Sequence, residues 1–256
     1  MGPLEAIILG VLEGLTEFLP VSSTGHLILA SHLLRIPETE ALKSFEISIQ
    51  LGAICAVLAL YGKRFFDLEI LKRLLVAFLP TAAVGFALYP FIKGFLLGSE
   101  AVVVIALGVG GIALILFDTF HKEGESAVDE LRKMSYRQAF GIGFFQSIAV
   151  VPGVSRSAAS IVGGLLLGLR RTAIVQFSFL LAVPTMAAAT GLDLIRSYGS
   201  FSRAEVGVIG IGFLAAFLTA LPVMRFFLMF VRTGTFLPFG VYRVILAAAF
   251  ALYWFL

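Results

Sequence analysis

Apolar residues run along this chain in long blocks joined by short polar loops. A helix that crosses a bilayer needs about 20 mostly apolar residues. Six blocks meet or approach that length, at about 45–62, 74–92, 101–120, 172–192, 205–231 and 238–256. Two more, about 5–33 and 139–169, are long enough but broken in the middle. The first break is Pro20-Val21-Ser22-Ser23-Thr24-Gly25 and the second is Pro152-Gly153-Val154-Ser155-Arg156-Ser157. Proline removes a backbone donor and disfavours helix at the residue before it. Backbone groups freed in this way persist at membrane depth only where protein or a water-filled cavity satisfies them. Both broken blocks are therefore expected to be re-entrant helix–loop–helix hairpins, with a kinked full span as the alternative.

The pattern occurs twice. GVLEGLTEFLPVSST from Gly10 resembles GFFQSIAVVPGVSRS from Gly143, with Glu13 opposite Gln146 and one glycine inserted. FEISIQLGAICAVLAL from Phe45 resembles FSFLLAVPTMAAATGL from Phe177, and Leu79-Pro80 falls opposite Leu221-Pro222. Each half reads as a hairpin followed by three spans, an odd number, so the second half must be inverted relative to the first. The expected fold is an all-α integral membrane protein with six full transmembrane helices and two re-entrant hairpins in an inverted-topology repeat. It forms one membrane domain over 1–256, with repeat one at about 1–121, repeat two at about 136–256 and a polar link between them.

Composition agrees: 59% of residues are hydrophobic and 14% charged, against about 25% charged in soluble domains. The first apolar stretch lacks a basic flank and is interrupted by Glu5, Glu13 and Glu17, which gives no expectation of a cleaved signal peptide. A net charge of +3 does not suggest nucleic acid as a partner. Cys55 is the single cysteine, so an internal disulfide and a cysteine-based metal cluster are excluded. If both hairpins return to the side they enter, one face collects Lys63, Arg64, Lys72, Arg73, Lys122, Arg132, Lys133, Arg137, Arg170, Arg171, Arg225 and Arg232. The other collects Arg35, Lys43, Lys93, Arg196 and Arg203. Twelve cations against five assign the first face to the cytoplasm and the mouth of the first hairpin to the exterior.

The two breaks also hold the candidate chemistry. Glu13 and Glu17 are four residues apart, on one face of a helix, among strongly apolar neighbours. Intramembrane carboxylates are functional candidates by default. Such a pair can ligate a hard cation such as Mg²⁺, or one member can act as a base that the other orients. Ser22, Ser23 and Thr24 lead into a helix, where hydroxyls cap and backbone N–H groups face an anion. His26 lies within a turn of Ser23, so hydroxyl, imidazole and carboxylate form a set suited to nucleophilic or general-base catalysis. Arg156 in the second break is costly unless it meets an anion or pairs with Glu13 or Glu17. As a guanidinium clamp it would bind phosphate, with Ser155 and Ser157 as further donors. Carboxylates and a nucleophile facing an oxyanion clamp suit phosphoryl transfer. Among the other polar residues, Arg243 and Glu46 are candidates for a structural pair. Asp118, Asp193 and His121 fall near span ends, where solvation accounts for them, and Gln146 is expected to hydrogen-bond within the core.

EGLTEFLPVSSTGH at 13–26 and PGVSRS at 152–157 resemble the two signature motifs of the bacterial undecaprenyl-pyrophosphate phosphatases of the BacA/UppP type. FEISIQLG, YRQAFGIGFFQ and FSFLLAVP are similar to that family as well, so the likeness spans nearly the whole chain. It implies a hydrolase of the bacterial inner membrane that removes the terminal phosphate of undecaprenyl pyrophosphate. Such an enzyme regenerates the lipid carrier of peptidoglycan synthesis and is associated with bacitracin resistance. Position by position it implies catalytic roles for Glu13, Glu17, Ser23, His26 and Arg156, phosphate contacts from Ser155 and Arg156, and help from Mg²⁺ or Ca²⁺, with no organic cofactor. Ser160 departs from the threonine many members have, with the hydroxyl kept. A PAP2-type phosphatase is rejected, because no His-x-x-x-Asp follows Ser155-Arg156. The competing reading is a polyprenyl-phosphate flippase or transporter, which inverted repeats with midplane hairpins would also fit.

Overall fold

In a computed structural model, residues 1–96, 99–124, 127–196, 203–232 and 234–255 are described. The side chains of Lys93, Asp193, Arg196 and Arg203, placed above by their position in the sequence, lie outside the described residues. The chain is all-helical. Helices α1 (Pro3–Thr16) and α2 (Ser23–Leu33) are followed by α3 (Glu40–Tyr61), α4 (Leu68–Phe91) and α5 (Glu100–Phe120). Helices α6 (Tyr136–Ser147) and α7 (Arg156–Leu166) are followed by α8 (Arg171–Arg196), α9 (Arg203–Phe230) and α10 (Leu237–Phe255).

Each of the six unbroken blocks is one helix, and both broken blocks are two helices with a turn at the expected residues. Among the described residues five helices, α3, α4, α5, α8 and α9, are long and apolar enough to cross a membrane; the apolar part of α10 described, Leu237–Tyr253, is shorter. Helix α4 starts earlier than its apolar run because Asp67 caps it, its Oδ1 accepting from Glu69 N and Ile70 N at 3.1 and 3.4 Å. Thr39 extends α3 in the same way, with Leu42 N donating to Oγ1 at 3.1 Å.

Helix α1 packs on α9 and α6 packs on α4. Both contacts need glycine, since a Cβ at Gly10 would stand 2.3 Å from the Gly212 carbonyl oxygen and one at Gly143 would stand 1.8 Å from that of Ala77. Small residues that let backbones approach are the usual means of packing helices in lipid, where apolar burial gives little drive. Helix α5 packs on α10, α3 on α8 and α9, and α8 also on α4. The core is aromatic and aliphatic, with Phe18 edge-on to Phe179 at 5.1 Å. The outer surface is apolar as well: Phe86, Ile105 and Leu218 are 71%, 64% and 56% exposed. That is the inside-and-outside hydrophobicity of a multi-pass membrane protein.

The loops gather at two ends. At one, Arg132 Nε donates to Asp67 at 2.6 Å and holds that carboxyl below the usual carboxylate range. There too Val128 N bonds Gly168 O and Arg170 N bonds Val128 O, both at 2.9 Å. Arg171 pairs with Asp118 at 3.2 Å and Glu123 at 3.1 Å. Asp118 is therefore paired and covered rather than simply solvated, since α8 begins beside the end of α5. At the opposite end His32 meets Glu100 at 2.6 Å.

Candidate active site

Both turns are built on a serine with a positive φ. Ser22 has φ 72° and ψ 90°, and Ser155 has φ 78° and ψ 113°. Few non-glycine residues adopt such values, and the strain has to be offset locally. Each serine is the N-cap of the helix that follows. Gly25 N donates to Ser22 Oγ at 3.3 Å and Ala158 N to Ser155 Oγ at 3.2 Å. Gly153, at φ 91°, is glycine for two reasons: its conformation, and a Cβ there would meet Val103 O at 2.7 Å.

The residue after each positive-φ serine points to a shared partner. Ser23 Oγ donates to Glu17 Oε2 at 2.5 Å. Arg156 donates from Nε and Nη2 to Glu17 Oε1 at 3.2 and 3.1 Å. Glu17 thus joins a hydroxyl of one turn to a guanidinium of the other. Arg156 Nη1 also bonds Ser178 O at 2.9 Å, and Ser178 Oγ meets Ser160 Oγ at 2.7 Å. The turns touch directly through Ser157, whose Oγ donates to Leu19 O at 2.6 Å and lies 3.0 Å from Ser155 Oγ.

This group forms the floor of a cavity of about 450 Å³, bordered by Glu17, Ser22, Ser23, Thr24, Ser155 and Arg156. Gln50, Thr81, Gln146 and Thr185 add polar groups to one wall. Gln146 Nε2 donates to Thr81 Oγ1 at 3.0 Å and to Thr185 Oγ1 at 3.1 Å, the core bonding expected of it. Away from the floor the walls are largely apolar, with Phe86, Tyr89 and Ile92 at the end of α4 and Ala188, Ala189 and Leu192 towards the end of α8. The helices α2 and α7 begin at the floor, and helix N-termini favour anions. A polar floor with a cation, a hydroxyl and a carboxylate under apolar walls suits a lipid with an anionic head.

Glu13, His26 and Ser157 lie beside the floor and do not border the cavity. Glu13 is fully buried, and among the described residues no donor meets either carboxylate oxygen. His26 is turned away, with Nδ1 2.7 Å from Ser22 O and Nε2 2.7 Å from Tyr242 Oη. Two residues of α10 behind the turns were not singled out for the site by the sequence pattern: Tyr242, and Arg243, which is fully buried. Arg243 does not pair with Glu46. It donates to the carbonyls of Pro20, Gly153, Val154 and Ala106 at 2.8–3.3 Å, while Glu46 accepts from Ser31 Oγ at 3.0 Å. An arginine in an apolar span was the available signal, but it did not say which partner would satisfy the group.

The residues fit a hard divalent cation in part. Glu13 and Glu17 are two oxygen donors one helical turn apart, and Glu13 has two orphaned oxygens. Among the described residues no third His, Cys, Asp or Glu joins them in a metal-holding group. Hard cations of this size take six or more oxygens, with Mg²⁺ usually keeping waters and substrate phosphates.

Helices of this length, apolar inside and out, define a multi-pass membrane protein. The family described as Bacitracin resistance protein BacA matches residues 6–249, and the chain belongs to it. Proteins named undecaprenyl-diphosphatase are similar over nearly the full length. One from Aquifex aeolicus is 52% identical, covering 96% of both chains. One from Persephonella marina is 50% identical over 99% of both, and one from Thermus thermophilus is 48% identical over 97% of this chain and 96% of the other.

Proposed function

We propose that this protein is an undecaprenyl-diphosphatase: it hydrolyses undecaprenyl pyrophosphate to undecaprenyl phosphate and phosphate, returning the lipid carrier to peptidoglycan synthesis. The observation that carries the reading is the Ser23–Glu17–Arg156 chain on the cavity floor. Full-length similarity to proteins of that name supports it.

In this mechanism the diphosphate enters between the turns and takes the Arg156 guanidinium, which releases Glu17 from its ion pair. Glu17 accepts the Ser23 proton while Ser23 Oγ bonds to the terminal phosphorus. The bridging P–O bond breaks, and its electrons leave with the lipid phosphate. Once the Glu17 proton has left with the product, a water attacks the phosphoserine and gives a proton to Glu17. The P–Oγ bond then breaks, phosphate departs, and Ser23 regains its proton. Ser23 is favoured over His26 as nucleophile because it borders the cavity and both His26 ring nitrogens are engaged. His26 instead holds the Ser22 carbonyl in the turn. Arg156, the first-turn amides of α2 and α7, and the hydroxyls of Ser22, Thr24 and Ser155 stabilise or position the phosphoryl oxygens, while Ser157, expected from the sequence to join them, spends its hydroxyl on Leu19 O and ties the turns together. Where Mg²⁺ or Ca²⁺ is bound, Glu13 and Glu17 would hold it, and it would neutralise phosphate charge.

The topology we propose has all six long helices spanning and both turn-bearing pairs re-entrant, with residues 136–256 inverted relative to 1–121. Its support is the repeated order of two short and three long helices, and the two matched serine turns. Twelve of the cations then face the cytoplasm. The cavity lining reaches the ends of α4 and α8, on the side with five, and on this reading the site faces the exterior of the inner membrane. Purified protein in detergent should release phosphate from undecaprenyl pyrophosphate. A flippase would instead move the lipid across liposomes without hydrolysing it, and that result would sink the proposal.

A further inference from the structure

We propose that Arg243 is a positioning residue, which fixes the two turns in register by gripping their backbone carbonyls from outside the cavity. Its guanidinium is fully buried and does not border the cavity. Nη1 donates to Pro20 O at 3.3 Å in the first turn and to Val154 O at 3.0 Å in the second. Nη2 donates to Gly153 O at 2.8 Å and to Ala106 O of α5 at 3.1 Å. One planar group thus bonds both turns and the helix beside them.

Two further observations separate this role from an ordinary buried ion pair. No carboxylate pairs with Arg243 among the described residues, and its bonds all go to carbonyls. The carbonyls of Pro20, Gly153 and Val154 lie at the helix breaks, and no backbone N–H bonds them among the described residues. Arginine can serve here because its fork presents five donors in a fixed plane, which a lysine ammonium does not. Space for it is set by Gly110 on α5, where a Cβ would stand 2.1 Å from Nη2. The neighbouring Tyr242 extends the same support to the first turn by bonding His26 at 2.7 Å.

The consequence for chemistry rests on the proposed phosphatase reaction. Ser23 and Arg156 sit on different turns, so their separation depends on how the turns are held. A misplacement of about 1 Å in such an arrangement can cost about 100-fold in rate.

The test compares Arg243→Gln, Arg243→Lys and Gly110→Ala with the unaltered protein. It reads kcat and KM for undecaprenyl pyrophosphate, and amide hydrogen exchange across the chain. We expect kcat to fall roughly 100-fold in both Arg243 variants, with KM within about threefold. Exchange should rise about tenfold or more at residues 21–24 and 153–157 and stay unchanged in α3 and α8. Gly110→Ala, which displaces the guanidinium and leaves its charge, should give the same pattern at about a tenfold loss of kcat. This variant decides the matter if the Arg243 variants do not fold. Full kcat in Arg243→Lys beside a loss in Arg243→Gln would assign the effect to charge and overturn the proposal. So would exchange that rises evenly over the whole chain, or at one turn alone. If the unaltered protein releases no phosphate, the phosphatase reading fails, and exchange at the two turns still decides whether Arg243 holds them.

Discussion

In the first turn a serine at φ 72° precedes Ser23; in the second a serine at φ 78° precedes Arg156. Both serines cap an 11-residue helix that starts at the next residue. About two turns before each break stands Glu13 or Gln146, at corresponding places and both almost wholly buried. The backbone device is the same, and the side chains that share a position differ in kind. The first turn carries the carboxylate and hydroxyl and the second the cation. A site for a phosphoryl group needs both a nucleophile and an anion clamp, and in the proposed mechanism two matched turns meeting tip to tip supply one each. The arrangement teaches that local conformation was kept while the chemistry was divided.

The division breaks most severely at the shared ion pair. Arg156→Ala and Glu17→Ala should each lower kcat/KM for undecaprenyl pyrophosphate by roughly 1,000-fold, within the range for losing a preorganised charge partner. Each also leaves a buried charge unpaired, a loss of about 3–5 kcal/mol, so a thermal melt must accompany the assay. Turnover at the unaltered rate in either variant would refute the assignment.

Next comes the comparison of hydroxyls. Ser23→Ala should lose about as much as Glu17→Ala, since residues that act as a unit are not additive. Ser157→Ala, which removes a bond between the turns and no reacting atom, should lose about tenfold or less. Phosphate release in quenched-flow assays separates the two. Equal losses would mean that Ser23 only positions.

How much of this was legible beforehand varied with the kind of physics involved. The breaks were readable because proline and small polar residues inside an apolar run leave few alternatives. That Arg156 would meet an anion, or else pair with Glu13 or Glu17, was readable because buried charges need partners; which carboxylate it meets was not. The serine φ values were not readable, because a strained serine looks like any other until its cap is seen. Arg243 was misread as a partner for Glu46, because charge alone suggests a carboxylate. What its two terminal nitrogens meet is a set of carbonyls from three elements, brought together by packing α10 on α5. His26 shows the limit of spacing: one turn from Ser23, it faces Tyr242 rather than the cavity.

The paired positions Glu13 and Gln146 give a smaller contrast. If Glu13 holds a divalent cation with substrate, Glu13→Gln should abolish any stimulation by Mg²⁺ or Ca²⁺ and lower the metal-free rate by only about tenfold. Gln146→Glu puts a carboxylate where an amide N–H₂ now donates to Thr81 and Thr185. It should destabilise the fold by about 1–3 kcal/mol and leave the response to metal intact. Titrating metal into both variants tells them apart, and unchanged stimulation in Glu13→Gln would remove Glu13 from the metal-holding role.

The finest comparison concerns the turns themselves. Ser22→Ala and Ser155→Ala each remove an N-cap worth about 1 kcal/mol and keep a side chain at a positive φ. Glycine at either position also loses the cap but relieves the backbone, so it should be milder than alanine. For a chain of this size about 1 kcal/mol corresponds to a drop of roughly 2–4 °C in melting temperature. If the turns are equivalent as backbone devices, the two alanine variants should melt within about 1 °C of each other and both below their glycine counterparts. Their activities should still differ, since Ser22 adjoins the nucleophile and Ser155 adjoins the clamp: the first should act on kcat and the second on KM. A large gap in melting temperature would mean that one turn depends on its cap and the other on Arg243 alone.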